Sequence, residues 1–402
     1  MQPYRATQIS EHVWWVGAVD WNIRDFHGYS TNRGSTYNAY LVMGEKITLI
    51  DTVKSPFCGE LLSRIASVVD PAEISYIVSN HAEMDHSGGL AAVIDAVRPE
   101  KVFASSLGAK ALAEHFRLTL PITPVKDGET LDLGNLKIAF AETRMVHWPD
   151  SMVSWLPGDD VLFSQDGFGM HLASSERFAD QIDPSVIEFE GGRYFANILL
   201  PFAPLVAKVI ARLPALGIAP KVIAPDHGPI WRQDLGRILG LYGAWTLQKK
   251  RRKALVVYDT MWHSTALMAH AIAAGLEAGG ASVKLMSLKA NHRSDVVHEM
   301  LDAGALLVGS PTLNNNLYPS LADFLTYLKG LKPQHLIGAA FGSYGWSGEA
   351  VGQVREYLEA AKVELVHEGL RQKFVPDAKC LGECAALGRT MAEKLAERVG
   401  GQ

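Results

Sequence analysis

As far as residue 246, short apolar runs bounded by Gly, Pro, Asn or Asp exchange with stretches whose apolar positions recur every three or four residues. "TYNAYLVMGEKITLIDT", residues 36–52, predicts two strands around a Gly-Glu-Lys turn. "ISYIVSN" predicts a strand that runs directly into a loop, and "SGGLAAVIDAVRP" a helix after it. "KVFASS", "LKIAFAE", "DVLFSQD" and "KVIAPDHG" predict further strands, with helices at "GAKALAEHF" and "PLVAKVIARLPAL" between them. Strands alternating with helices imply a layered α/β fold.

The pattern breaks at "TLQKKRRKALVVYDT", where Lys249 to Lys253 are five consecutive basic residues. Such a run reads as a solvated linker, or else as a docking patch for an acidic partner. A new series follows: strand "ALVVYD", loop "TMWHST", helix "ALMAHAIAAGLEAGG", strand "SVKLMSL", a helix, strand "ALLVGSP", then "LIGAAFGSYGWSG". It has the size and order of one doubly wound domain. Two domains are expected, 1–249 and 250–402.

Composition changes this picture little. The 402 residues are 48% hydrophobic and 20% charged, with a formal net charge of −5, so no basic field points to nucleic acid. "MQPYRATQISEHVWWVG" has no basic segment followed by an apolar run, and no unbroken apolar stretch of membrane-spanning length is visible. Cys58, Cys380 and Cys384 are too few for a disulfide framework. A cytoplasmic protein is the expectation, with Cys380 and Cys384 buried on a helix.

The candidate chemistry lies at strand ends. "NHAEMDHSGG" packs His81, Glu83, Asp85 and His86 behind Asn80. His147 follows a strand in "MVHWPDSM", Asp166 ends "DVLFSQD", and His227 ends "KVIAPDHG". Each alone has a structural explanation, as a cap, a packed ring or a backbone-bonded imidazole; His115, His270, His298 and His335 read that way. Together, four histidines and three carboxylates at matching strand ends exceed what one mononuclear site uses. Seven ligands suit two adjacent metals, three for each and one bridging carboxylate.

This arrangement resembles the metallo-β-lactamase fold. The hydrolases of that superfamily commonly carry histidine where Glu83 stands. The glutamate, with a flavodoxin-like C-terminal part, is similar to the flavodiiron proteins, and the likeness runs through "HWPDSM", "PDHG", "MWHST" and "FGSYGWSG". The resemblance implies a metallo-β-lactamase-like αββα sandwich followed by a flavodoxin-like doubly wound parallel sheet. It implies one iron on His81, Glu83 and His147, a second on Asp85, His86 and His227, and Asp166 between them. Replacing imidazole by carboxylate hardens the site and adds negative charge, which favours iron without excluding zinc or manganese.

"VVYDTMWHSTALM" places a hydroxyl-rich loop before a helix, as a phosphate requires. It resembles the flavodoxin phosphate loop at Thr260, Met261, His263, Ser264 and Thr265. "GSPTLNNN" adds Pro311, Thr312, Asn314 and Asn315; "FGSYGWSG" adds Ser343, Tyr344, Gly345, Trp346 and Gly348. Three such loops in flavodoxin order imply FMN, their glycines permitting close backbone approach and their aromatics offering stacking faces.

A diiron centre and a flavin together hold the four electrons that take O₂ to water, and two suffice to couple two NO to N₂O. The resemblance therefore implies an O₂ and/or NO reductase fed by rubredoxin or a similar donor, working as a head-to-tail homodimer or a dimer of dimers. His27 and Tyr194 stand where the family lines its pocket, while Phe195 replaces a commoner second tyrosine. A zinc hydrolase with a redox-sensing flavodoxin tail is the alternative, and an electron carrier with a vestigial metal site a third reading.

Overall fold

The computed structural model describes residues 4–118 and 120–400. The chain divides into two compact units, one of residues 1–194 and 202–243, the other of 195–201 and 244–402.

The first unit is built on two sheets. One has seven strands in the order Thr7–Gln8, Val13–Trp15, Tyr40–Val42, Thr48–Ile50, Tyr76–Ser79, Lys101–Ser105 and Ile122–Val125. The other has five, Thr130–Asp132, Lys137–Glu142, Met152–Leu156, Val161–Gln165 and Val222–Pro225. Alternation along the strands decides which side chains meet. Val13, Trp15, Tyr40, Val42, Ile50 and Val78 share one core with Ile138, Phe140, Met152, Leu156, Val161 and Phe163 of the opposite sheet. The outward residues Leu41, Leu49, Ile77 and Val102 pack instead with Leu61, Ile65, Val93 and Leu112 of helices Cys58–Ile65, Leu90–Val97 and Ser106–His115. On the far side Ala141, Val153, Trp155 and Leu162 pack with Leu213 and Ile218. This is the αββα sandwich.

The second unit is an all-parallel sheet ordered Ser282–Ser287, Arg251–Tyr258, Ala303–Gly309, Ile337–Tyr344, with Glu364–Leu365 and Leu370–Lys373 both on the last strand. Counted along the chain, that is the 2-1-3-4-5 order of flavodoxin-like folds. Helices Ser264–Ala278 and Ala378–Gly400 cover one face, with Met268, Ile272, Cys384 and Met391 against Val256, Leu307 and Phe341. Cys380 and Cys384 are buried free thiols, as expected, and burial pushes the Cys384 thiol up to about 12.

One expectation fails here. The basic run is no linker: Arg251–Lys253 open the first strand of the second sheet. Lys250 is buried, donating to the carbonyls of Met300 and Leu301, while Lys253 pairs with Glu299 and Asp302. Lys250 and Lys253 are thus answered within their own unit, while Lys249, Arg251 and Arg252 are exposed. Among the described residues, segment Pro184–Leu216 has the length and hydropathy of a membrane span, though it is no unbroken apolar run. It is broken into α-helix Pro184–Tyr194, a π turn Phe195–Leu199, and helix Ala203–Arg212 beyond a 3₁₀ turn, with Glu190 and Arg193 buried along it.

Candidate metal and flavin sites

All seven sequence-predicted metal ligands converge at one edge of the first unit's sheets. Strand Tyr76–Ser79 delivers His81 and Glu83, and the single turn Met84–Ser87 carries Asp85 and His86. Two glycines let that turn pack: a Cβ on Gly88 would lie 2.3 Å from the Met84 carbonyl oxygen, and one on Gly89 2.7 Å from Cys58 Sγ. Asp166 and His227 follow strands Val161–Gln165 and Val222–Pro225, which run parallel and side by side.

Potential donor atoms fall into two groups, His81, Glu83, His147 and Asp166 in one, Asp85, His86 and His227 in the other. In the first, Glu83 Oε2 stands 3.2 Å from both His81 Nε2 and His147 Nε2, and Asp166 Oδ2 stands 3.0 Å from His147 Nε2. In the second, Asp85 Oδ2 is 3.0 Å from His227 Nε2 and 3.4 Å from His86 Nε2. Asp166 turns its other oxygen, Oδ1, to this group, 3.3 Å from His86 and 3.5 Å from His227. It therefore spans both.

These separations are those of donors around a cation. Atoms about 2.1 Å from one ion stand roughly 3.0 Å apart at right angles and roughly 3.4 Å at the tetrahedral angle. Asp85, His86 and Asp166 are buried, yet none of their side-chain N or O atoms makes a hydrogen bond, although they lie this close together. They aim at shared points rather than at each other. The electrostatics say the same. Burial disfavours a charged imidazole at His86, yet Asp85, Asp166 and Asp226 pull its pKa up to about 10. Burial also raises the Glu83 carboxyl, but His147, His27 and His81 together hold it well below the usual range. A buried site that draws protons onto its histidines in this way demands positive charge, which two metal cations supply.

Around the donors lies a set that the sequence reading missed. His81 Nδ1 faces Asp150 Oδ2 at 3.3 Å, and the same oxygen accepts the Ala82 N–H at 2.6 Å. His227 Nδ1 donates to the Thr36 carbonyl at 2.6 Å, leaving Nε2 bare toward the site. Asp150 and Asp226 sit inside the quoted "HWPDSM" and "PDHG", three residues after His147 and one before His227, and that adjacency was the available signal. Asn80, just ahead of these donors, is scaffold. Its backbone and side-chain N–H groups bond Asp51, and its Oδ1 accepts from Ser154.

His27 sits on a hairpin between Asp25–Phe26 and Tyr29–Ser30, in a two-residue turn with Gly28 where both φ angles are positive. Its side chain is 71% exposed, and Nε2 lies 3.0 Å from Glu83 Oε1, the oxygen not used toward His81 and His147. That bond raises its pKa against the effect of burial. His27, Glu83, Asp85, Lys54 and Trp148 line a cavity of about 560 Å³. His115, read as structural, is exposed at its rim. Tyr194 is buried, its ring 6.1 Å from that of His227. Phe195 lies in the second unit, its ring tilted against that of Trp245 with 5.5 Å between centroids. His171, unmarked in the sequence reading, packs 4.6 Å from His227.

In the second unit a cleft of about 440 Å³ opens at the ends of three parallel strands. Met261, Ser264, Pro311, Thr312, Asn314, Ser343, Tyr344, Gly345 and Trp346 line it, as do the unpredicted Trp262, Leu313, Phe374 and Val375. Trp262 and Trp346 are 88% and 81% exposed, which flat apolar rings rarely are without a partner. Thr260 Oγ1 is buried without a hydrogen bond at the loop before helix Ser264–Ala278, whose N-cap His263 is left-handed at φ 69°. Thr265 Oγ1 bonds Ser343 Oγ at 2.8 Å, tying the first loop to the third. Asn314 and Asn315 form the turn of the hairpin Thr312–Leu313/Asn316–Leu317, both with positive φ. Gly348, at φ 84°, lies behind Tyr344, where a Cβ would come 3.0 Å from its ring.

Comparison with known proteins agrees with both halves. The ODP family beta lactamase profile matches residues 36–228, and the Flavodoxin profile matches residues 256–388. A rubredoxin oxygen:oxidoreductase from Desulfovibrio gigas is 47% identical in sequence, and its solved structure superposes with a TM-score of 0.96 over 98% of this chain and 100% of that one. A nitric oxide reductase from Moorella thermoacetica is 44% identical over 97% of this chain and 98% of its own. The flavodiiron protein of Giardia intestinalis is 33% identical, with a TM-score of 0.95 over 100% of this chain and 99% of that one. The chain belongs to the flavodiiron proteins. It is accordingly an oxidoreductase, and the metallo-β-lactamase-like and flavodoxin-like architectures expected from its sequence are the ones it has. A flavodoxin domain implies FMN and a flavodiiron protein implies iron. The unpaired buried donors of the first unit and the open cleft of the second fit those two groups.

Proposed function

We propose that this flavodiiron protein reduces O₂ to water, NO to N₂O, or both, with a diiron centre in residues 1–249 and FMN in residues 250–402. The observation that carries the reading is Asp166, whose two oxygens face two separate groups of buried donors. In this reading His81, Glu83 and His147 would hold one iron and Asp85, His86 and His227 the other, with Asp166 facing both groups. Bound there, the irons and the flavin supply the electrons for gas reduction.

The protein's own groups do the rest. Asp150 and the Thr36 carbonyl fix the tautomers of His81 and His227, so that each presents a bare Nε2. His27 holds Glu83 by its outer oxygen and stands in the open cavity, where it can pass protons inward. In the second unit the loops at Thr260–Thr265, Pro311–Asn315 and Ser343–Gly348 would hold the phosphate and ring of FMN. Electrons would come from rubredoxin or a similar small donor, and the working form would be a head-to-tail homodimer or a dimer of dimers.

The zinc hydrolase reading places zinc on the same donors, and Glu83 in place of histidine speaks against it. Metal and flavin analysis of protein made with iron available separates the two: about two irons and one FMN per chain is expected. Zinc without iron would overturn the proposal. Anaerobic reduction, followed by consumption of each gas under one electron donor, then assigns the substrate.

A further inference from the structure

Among the described residues, one buried polar atom beside the metal-donor groups that makes no hydrogen bond is the outer nitrogen of His171. Its ring is fully enclosed, with Phe26 at 4.6 Å, Tyr194 at 5.2 Å, Tyr29 at 5.3 Å and His227 at 4.6 Å between centroids. One nitrogen is accounted for: Nδ1 lies 2.8 Å from Ser35 Oγ. The other, Nε2, is buried and makes no hydrogen bond. Buried ring nitrogens are almost always paired, and an unpaired one marks a place where something binds.

The neighbouring bonds decide which proton His171 carries. Ser35 Oγ can donate either to His171 Nδ1 at 2.8 Å or to the Thr36 carbonyl at 3.2 Å. That carbonyl already accepts the Nδ1–H of His227 at 2.6 Å. The His171 contact is the shorter of the two, and it assigns the serine proton to His171 Nδ1, so that the imidazole bears its own proton on Nε2. The result is a buried N–H donor, held in place from behind by Ser35, in a shell of aromatic rings beside a metal-binding histidine. It is absent from the donor groups that converge on the cation positions, so it is not an eighth ligand.

We propose that His171 Nε2–H donates a hydrogen bond to the oxygen atom of a small ligand held beside the Asp85–His86–His227 group, and so helps to position it. This rests on the gas-reductase reading above. The oxygen can belong to the substrate gas or to a water left by turnover, and the tests tell the two apart.

Two substitutions divide the ring into its halves. In His171→Asn the amide reaches only as far as Nδ1, so it keeps the Ser35 bond and leaves nothing at Nε2. In His171→Gln the amide nitrogen reaches the Nε2 position. Both variants are expected to retain iron and FMN at wild-type stoichiometry. In the oxidised protein, azide titrated by absorbance should bind about tenfold more weakly to the Asn variant and within about threefold of wild type to the Gln variant, one lost hydrogen bond being worth roughly that factor. Under steady-state gas consumption, a raised KM in the Asn variant with kcat little changed assigns the oxygen to the substrate. A lowered kcat at unchanged KM, with an ordered water on Nε2 in a crystal structure of the wild type, assigns it to water. Wild-type azide affinity and kinetics in His171→Asn would overturn the proposal, and so would equal loss in both variants with loss of iron, which is a packing role. If the iron-loaded wild type consumes neither gas, the functional reading fails, while the azide comparison still judges His171.

Discussion

Glu83 uses its two oxygens on opposite sides, one toward His81 and His147, the other toward His27. A histidine in its place has no second acceptor for His27 and removes a negative charge from a site that already draws protons onto its imidazoles. Glu83→His is therefore expected to lower iron occupancy, raise zinc uptake and abolish most gas reduction, as read by metal analysis and gas electrodes. If iron and turnover survive, the argument from hardness and charge is wrong. His27→Ala removes only the outer contact of Glu83. Iron content should hold while the ratio of O₂ to NO turnover changes; rates unchanged from wild type for both gases would take His27 out of the mechanism. Asp150→Ala frees the His81 ring and should weaken metal binding about 10–100-fold, measurable by competition with a chelator.

At the scale of elements, two turns with paired positive φ bring their neighbours to the two sites, His27–Gly28 in the first unit and Asn314–Asn315 in the second. Asn is tolerated in that conformation and Gly has no Cβ to clash, which makes such turns readable from sequence. Helix Arg293–Glu299 ends on a different device, Lys250 under the carbonyls of Met300 and Leu301. Burial lowers that ammonium from 10.5 to about 8, with Asp302 opposing. The folded chain therefore releases this proton near pH 8 while the unfolded chain keeps it to about 10.5. In that window the unfolded state binds more protons, so stability rises with pH; below it both states are protonated and the cost of burying the charge is constant. Lys250→Met should remove this rise, seen as a loss of pH dependence between pH 8 and 10 when the urea midpoints of the two proteins are compared.

For the molecule as a whole, the two sites lie where each architecture gathers loops at the ends of adjacent strands. The first concentrates buried carboxylate charge that cations must answer. Stripping the metal should therefore lower the unfolding temperature, with a free-energy loss of about 4 kcal/mol where free metal had stood at a thousand times its dissociation constant. Re-addition of Fe²⁺ under anaerobic conditions should restore it, and an unchanged Tm would mean that the donors are held rigidly without the ions.

Sequence alone determined the order of strands and helices, because alternation and helical spacing record which face of each element is buried. It also determined the identity of the seven candidate metal ligands, because donors of that kind at successive strand ends have few other uses. It misjudged residues whose role depends on distant neighbours. Lys249–Lys253 read as solvated because the acidic groups and carbonyls that answer Lys250, Arg251 and Lys253 lie about fifty residues on. Asp150 and Asp226 show in the sequence only as neighbours of His147 and His227, and His171 carries no local pattern, since a residue that orients another's side chain is defined by a contact and not by spacing. Only the tertiary structure could set Asp166 between two groups of donors and leave one nitrogen of His171 buried and unused, because both facts are distances between chain segments that the sequence holds far apart.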